Sequence, residues 1–345
     1  MKKIKVTLKN KKWPYNRQSP NNLGIWNDWL FVFDEDIDYC DSWVVVGDLS
    51  KLTDTTLCTS GRVIFMNDEP PTMRTYPQKF IDQFNAILTC SDSIFFHKNL
   101  INNAPPLPWY FGVKQHKLHN AKFNSVVYTY DDLQKMEPPE KNKLLSIVFS
   151  DVSFTEGHIS RKLFVTKLKE HFGDKLDIYG KGHQFIEDKS SAILDYKFHL
   201  VLENSRFDDY WSEKLADCYL GWAFPIYCGC TNIEKYFNPN SFEEIDINDV
   251  DGAINIIENI IDRIEWSDKV QFIKISRQLV LDYYNFFPSI TRVLESIPES
   301  STPRKIKLKS IRSETGLVRS FLRKTRASLQ FGFGVTKIFR FLQKI

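Results

Sequence analysis

Five short apolar runs punctuate the first hundred residues: Ile4–Leu8, Leu30–Phe33, Trp43–Val46, Val63–Met66 and Ala86–Thr89. Each is closed by polar or turn-forming positions, which predicts buried strands of one α/β domain. The fourth run meets Asn67-Asp68-Glu69-Pro70-Pro71-Thr72. Two prolines stop the strand at once and hold an acidic pair at its tip. On residue types alone, Asp68-Glu69 before proline reads as a solvated acidic turn.

Residues 93–140 look like a connection. Pro105, Pro106 and Pro108 precede Trp109-Tyr110-Phe111, which reads as an aromatic platform for a ligand, an edge strand or a hydrophobic plug. A charged stretch, Asp131–Lys143, broken by Pro138-Pro139, sets the domain boundary. This gives an N-terminal domain over 1–138, a second domain over 139–300 and a tail over 301–345.

The second domain opens with Leu144–Phe149, closed by Ser150-Asp151. A helix over Ser160–Phe172 carries Leu163, Phe164, Leu168 and Phe172 on one face. Arg161 falls in its first turn, where a cation opposes the helix dipole; an exposed arginine or an anion ligand would fit. Leu176–Tyr179 then ends in Gly180-Lys181-Gly182-His183, and Phe185–Tyr196 reads as a helix. The run Phe198–Leu202 stops abruptly in Glu203-Asn204-Ser205. A helix beginning near Tyr210 presents Trp211, Leu215 and Cys218 on one face, and Ala223–Cys228 is the next apolar run. Apolar run, polar tip, helix, apolar run is a βαβ pattern. Ser241–Ile245 reads as a short strand, Asp249–Ile261 as a helix, and Arg263–Phe287 as further helix.

Ligands of open parallel sheets bind beyond the carboxyl ends of the strands, where helix N-termini offer unpaired N–H groups. Glu203 and Asn204 at the strand tip, with Tyr210, Glu213 and Lys214 at the helix start, therefore converge on one crevice. Their chemistry suits a nucleotide diphosphate: Lys214 and backbone N–H groups for phosphate, a carboxylate for ribose hydroxyls. A capped helix whose first-turn Glu offsets the dipole explains Glu213 and Lys214 equally well. Three polar groups ending an apolar strand have no such packing explanation.

The ordered set Lys197-Phe198, Glu203-Asn204-Ser205, Asp209-Tyr210, Glu213-Lys214, Gly221, Pro225, Gly229 and Asn232-Ile233-Glu234 resembles the signature region of glycosyltransferase family 10, the α-1,3/4-fucosyltransferases. Ser212 stands where the family often has Thr, and Cys228 and Cys230 where larger residues are common. The resemblance implies an α/β chain of GT-B architecture, with two facing Rossmann-like domains and a late helix, Arg277–Ile297, crossing back to the first. It implies an inverting transferase of α-1,3-fucosyltransferase type that moves L-fucose from GDP-fucose to a hydroxyl of a glycan acceptor. An N-acetylglucosamine-containing surface polysaccharide or lipopolysaccharide is the expected acceptor. Glu69 is then the base, with Asp68 as the alternative. Arg161 and Lys214 would hold phosphate, Glu213 the ribose, and Glu203, Asn204 and Tyr210 would orient sugar and phosphates. With cationic phosphate partners in place and no Asp-x-Asp motif at a strand tip, no metal is obligatory; Mg²⁺ or Mn²⁺ would at most stimulate. Rival readings are another nucleotide-sugar donor, or a non-catalytic membrane-docked carbohydrate-binding protein.

Composition adds place rather than chemistry. An apolar fraction of 42% and a charged fraction of 26% are ordinary for a globular chain of 345 residues. Six scattered cysteines show no zinc-type spacing and read as buried thiols in a reducing compartment. The N-terminus lacks an apolar signal core, and no run reaches membrane-span length. The net charge of +3 conceals an asymmetry, because Pro303–Ile345 holds twelve Lys/Arg and one acidic residue, which leaves the rest at −8 and this segment at +11. Basic residues interleaved with Leu317, Phe321, Leu322, Ile338, Phe339 and Leu342 form an amphipathic pattern suited to an anionic membrane surface. A helix docked on the acidic body is the alternative. The aromatic density favours lipid over nucleic acid, so the expected location is the inner face of the cytoplasmic membrane.

Overall fold

The computed structural model describes residues 1–9, 13–69, 74–91, 95–118, 121–150, 156–299 and 302–314. The first sheet contains β1 (Lys2–Leu8), β2 (Ile25–Trp26), β3 (Trp29–Phe33), β4 (Tyr39–Val46), β5 (Thr53–Met66), β6 (Ala86–Thr89) and β7 (Leu100–Asn102), with a one-turn helix α1 (Gln78–Ile81) between β5 and β6. A hairpin, β8 (Val113–Leu118) and β9 (Ala121–Val126), and α2 (Tyr130–Lys135) lead to the second sheet. That half runs β10 (Lys143–Val148), α3 (Glu156–Phe172), β11 (Leu176–Tyr179), β12 (Tyr196–Leu202), α4 (Glu213–Leu220), β13 (Phe224–Cys228), β14 (Glu243–Glu244), α5 (Val250–Arg263) and α6 (Trp266–Asp282). The chain then returns to the first domain through α7 (Phe286–Ser296) and β15 (Arg304–Lys309).

The strand order of the first sheet is β2-β3-β1-β4-β5-β6-β7, parallel except for β2 at the edge, with β15 antiparallel on the long β5. Both faces are covered. Val44 and Val46 join Ile4, Val6 and α7's Phe286, Phe287 and Ile290, while the alternate residues Trp43 and Val45 pack with Phe65, Phe80 and Leu308. That explains the unbroken apolar runs. The second sheet, β11-β10-β12-β13-β14, is wholly parallel. In such orders the crevice forms where successive connections leave in opposite directions. Those points are the tips of β1 and β4 in the first sheet and of β10 and β12 in the second. The two crevices open on one inter-domain cleft, which is the GT-B arrangement.

The strands expected from the apolar runs are present, as is the βαβ unit β12–α4–β13. The late helix is α7, and its apolar face completes the first domain's core. Several expectations need correction. Phe185–Tyr196 is not a helix; it holds a 3₁₀ turn, Lys189–Ala192, capped by Asp188, whose side chain accepts the Ser190 N–H. Helix α3 starts at Glu156, so Arg161 lies in its second turn, not its first. Leu163 faces solvent, and α3 buries Phe164, Val165, Leu168 and Phe172 instead. Helix α4 starts at Glu213 with Ser212 as its cap, so Trp211 precedes it. Trp109 and Phe111 are a plug: both are buried in the second domain's core, although they precede the expected boundary. Residues 304–309 are a sheet strand rather than free tail, and the amphipathic pattern over 315–345 lies outside the described residues.

Candidate active site

Two adjoining chambers occupy the cleft. The larger, about 420 Å³, lies at the tips of β10, β11 and β12, walled by Ser150, Arg161, Gly180, Asn204, Glu213 and Lys214 among others. The smaller, about 280 Å³, spans the domains: Lys9, Trp13, Asp68 and Glu69 come from the first, and Tyr210, Ser212, Glu213 and Lys214 from the second. Asn204, Glu213 and Lys214 wall both chambers, so the two adjoin.

The second-domain wall is a ladder of alternating charges. Glu203, fully buried, accepts hydrogen bonds from the Ser212 N–H (2.8 Å) and Oγ (2.6 Å), and from Lys214 Nζ (3.1 Å). Lys214 also lies 3.7 Å from Glu213, which is 3.7 Å from Lys189 Nζ. Lys189 donates to Asp217 Oδ2 at 2.9 Å and sits over the Tyr110 ring. Asp217 Oδ1 accepts the N–H groups of Tyr110 and Phe111, each at 2.9 Å, fastening the inter-domain connection to α4. Burial opposes the charge on Glu213, but Lys214 and Lys189 outweigh it and hold its carboxyl below the ordinary range. Burial likewise opposes the charge on Lys214, which Glu203 and Glu213 nevertheless hold above the ordinary lysine range. Arg161 is buried against the Leu202 carbonyl, and burial lowers its pKa.

The loop before α4 is clamped from behind. Asp209, at φ +59°, accepts hydrogen bonds from Tyr236 Oη, Lys235 Nζ and Asn232 Nδ2. The Asn232-Ile233-Glu234 segment thus fixes the loop carrying Tyr210, whose ring stacks on Phe207. Gly229 admits no side chain: a Cβ there would lie 2.5 Å from Glu203 Cγ and 2.4 Å from Tyr227 Oη. At the end of β11, Gly180 adopts φ +119° against the Phe149 carbonyl, a conformation reserved for glycine.

The first domain contributes Asp68 and Glu69, half-buried at the tip of β5. Burial, then the Asp68 charge, push Glu69 above the ordinary carboxylate range, and Lys9 and Arg74 only partly offset them. Trp13 and Tyr110 flank this acidic tip with their rings 4.4 Å apart.

Six of the seven residues singled out in the sequence, Glu69, Arg161, Asn204, Tyr210, Glu213 and Lys214, wall this cleft. The seventh, Glu203, walls neither chamber; it stands behind Ser212 and Lys214 and orients them. Sequence reasoning missed Lys189, Asp217, His199 and Trp13. Asp217 had a signal, four residues after Glu213 and so on the same helical face. Lys189 had none, because its segment reads as a helix.

The profile of Glycosyltransferase family 10 (fucosyltransferase) C-term matches residues 138–263. Over these residues the second domain is similar to the C-terminal domain of glycosyltransferase family 10. Over 74 residues the chain is 36% identical to the Helicobacter pylori alpha-(1,3)-fucosyltransferase FucT, covering 21% of this chain and 16% of that one. Over 92 residues it is 32% identical to the human 4-galactosyl-N-acetylglucosaminide 3-alpha-L-fucosyltransferase FUT6, covering 25% of each. The matched stretches thus span a quarter or less of these relatives. Among solved structures, an alpha1,3-fucosyltransferase with GDP superposes with a TM-score of 0.44 at 16% identity, over 83% of this chain and 92% of that one. The solved structure of TarM gives 0.42 at 10% identity, over 74% of this chain and 55% of that one. The family 10 profile begins at residue 138, so the first-domain half of the cleft, with Glu69, lies outside it.

Proposed function

We propose that this protein transfers L-fucose from GDP-fucose to a hydroxyl of a glycan, with inversion at the anomeric carbon. The supporting observation is that Glu69 of the first domain and Glu213 and Lys214 of the second wall one chamber between the domains. The donor occupies the larger chamber, with its diphosphate against Lys214 and Arg161 and its ribose against Glu213. An entering diphosphate competes with Glu203 and Glu213 for Lys214, so phosphate binding draws on a cation already in place. The acceptor lies in the smaller chamber against Trp13 and Tyr110, whose paired rings suit the C–H face of a pyranose. Glu69 takes the acceptor's proton, and its raised affinity for protons brings it nearer the working pH of a general base. Lys214 and Arg161 stabilise charge growing on the leaving diphosphate.

Membrane association belongs to the same proposal. The support is compositional: twelve Lys/Arg against one acidic residue over Pro303–Ile345, interleaved with aromatics. A cytoplasmic, peripheral location follows from it. No metal is required in this reading, since cationic side chains stand where the phosphates would lie.

The test is a donor screen for acceptor-dependent release of nucleoside diphosphate, comparing GDP-fucose with GDP-mannose and UDP-sugars, on N-acetyllactosamine and lipopolysaccharide-type acceptors. Turnover with GDP-fucose is the expected result. Turnover with a different donor sugar alone would replace the substrate, and no turnover with any donor would overturn the enzymatic reading.

A further inference from the structure

His199 lies in the middle of β12, 4% exposed, and it walls the larger chamber. Its tautomer follows from its neighbours. Ser146 Oγ lies 2.6 Å from the Ala192 carbonyl, which can only accept, so the hydroxyl proton is committed there. The same Oγ lies 2.8 Å from His199 Nδ1 and must therefore accept from it. Nδ1 thus carries the proton, and on a neutral ring Nε2 is a bare lone pair. The ring is neutral: burial, then the nearby charges of Lys189 and Lys141, push its pKa down to about 3. Among the described residues no protein donor is hydrogen-bonded to Nε2. His199 is among the residues that wall the chamber, and this tautomer leaves Nε2 as the ring's acceptor.

An acceptor left unmatched when a ligand displaces water is costly, so a ligand group filling the chamber gains by supplying an O–H or N–H there. The ammonium of Lys189 walls the same chamber and is a donor. A hydroxyl is the group that donates to one and accepts from the other. We propose that His199 Nε2 accepts a hydrogen bond from a hydroxyl of the bound nucleotide sugar, making His199 a donor-specificity residue held in register by Ser146. The proposal rests on the reading of the larger chamber as the GDP-fucose site. The hydroxyl belongs to either the ribose or the transferred hexose, and the experiment separates the two.

Calorimetric titration of the full chain and of His199→Phe with GDP, 2′,3′-dideoxy-GDP and GDP-fucose is the test. His199→Phe is expected to weaken GDP-fucose binding about fivefold to tenfold, the effect of one lost neutral hydrogen bond. If GDP weakens too while 2′,3′-dideoxy-GDP does not, the ribose supplies the hydroxyl. If only GDP-fucose weakens, the hexose does. Equal losses for GDP and 2′,3′-dideoxy-GDP with no extra loss for GDP-fucose would assign the contact to the base and overturn the hydroxyl proposal. Unchanged affinity for every ligand would overturn it outright. A wild-type chain that binds none of them would overturn the donor reading and this proposal with it. Two measurements guard against a variant that fails to fold. Ser146→Ala should weaken the same ligands in the same pattern but less. On the wild-type protein, ¹⁵N spectroscopy of His199 should report an unprotonated Nε2 whose resonance moves on adding the ligand; a protonated Nε2, or one indifferent to ligand, would also sink the idea.

Discussion

Glu69 and Lys214 face each other across the cleft with opposite needs, and single substitutions separate them. Glu69→Gln removes the proposed base while leaving the donor wall intact. It should lower kcat by about 10²–10⁴-fold, the usual contribution of a positioned base, with GDP affinity unchanged; retained turnover would move the base to Asp68. The pH profile carries a second expectation. Because burial and Asp68 raise Glu69, kcat/KM should fall on the acid side at a pH above the ordinary glutamate value of about 4.3. Asp68→Asn removes a negative neighbour, so the acid limb should move to lower pH; a limb that stays put would show that Glu69 is not the titrating group. Lys214→Met should weaken GDP binding about 10–100-fold, as for a hydrogen bond to a charged group. It also strands the buried Glu203, so thermal unfolding must be measured alongside to tell lost binding from lost fold. The residue types at these positions were legible in the sequence, because three polar groups closing an apolar strand have no packing use. Their division of labour was not. Glu203 looks like a ligand by position, yet its carboxylate turns away to cap the start of α4 through Ser212.

Helix α4 is the element on which the site hangs. One face presents Glu213 and Lys214 to the cleft, and Asp217 ties the Tyr110–Phe111 backbone and Lys189 to the same helix. Asp217→Ala strands Lys189 and two backbone N–H groups in a buried setting, so unfolding stability should fall by about 3–5 kcal/mol. Asp217→Asn keeps an oxygen for the two N–H groups and should lose less. Equal losses for the two variants in thermal or denaturant unfolding would show that the backbone ties are unimportant. The strands were readable because parallel strands buried on both faces leave continuous apolar runs. The segment 185–196 was misread for a local reason. Asp188 accepts hydrogen bonds from the Ser190 N–H and Oγ and from the Gly112 N–H, a set that competes with a regular helix. That turn carries Lys189 to the cleft, so the same error hid the residue.

Over the whole molecule, α7 and β15 tie the end of the described chain to its beginning. Phe286, Phe287 and Ile290 fill the first domain's core, and Leu308 is buried against its other face. Truncation must therefore spare β15. Removing residues 315–345 should abolish co-sedimentation with anionic vesicles while leaving the melting temperature and turnover on a soluble acceptor largely unchanged. Undiminished vesicle binding by the truncated chain would locate membrane affinity elsewhere, and a lower melting temperature would favour a segment docked on the body. By itself the sequence determined the strands marked by apolar runs, the βαβ unit, the polar tip at Glu203-Asn204-Ser205 and the acidic pair at the end of β5, because period, punctuation and capping are written within a dozen residues. Only the tertiary structure decided that Glu69 shares a cleft with Lys214, that Trp109 and Phe111 are a plug, and that Ser146 fixes the tautomer of His199. Each of these joins side chains more than fifty residues apart, or sets a buried core against an open cleft. Such choices are made by packing and by the pairing of buried polar groups, which no local pattern records.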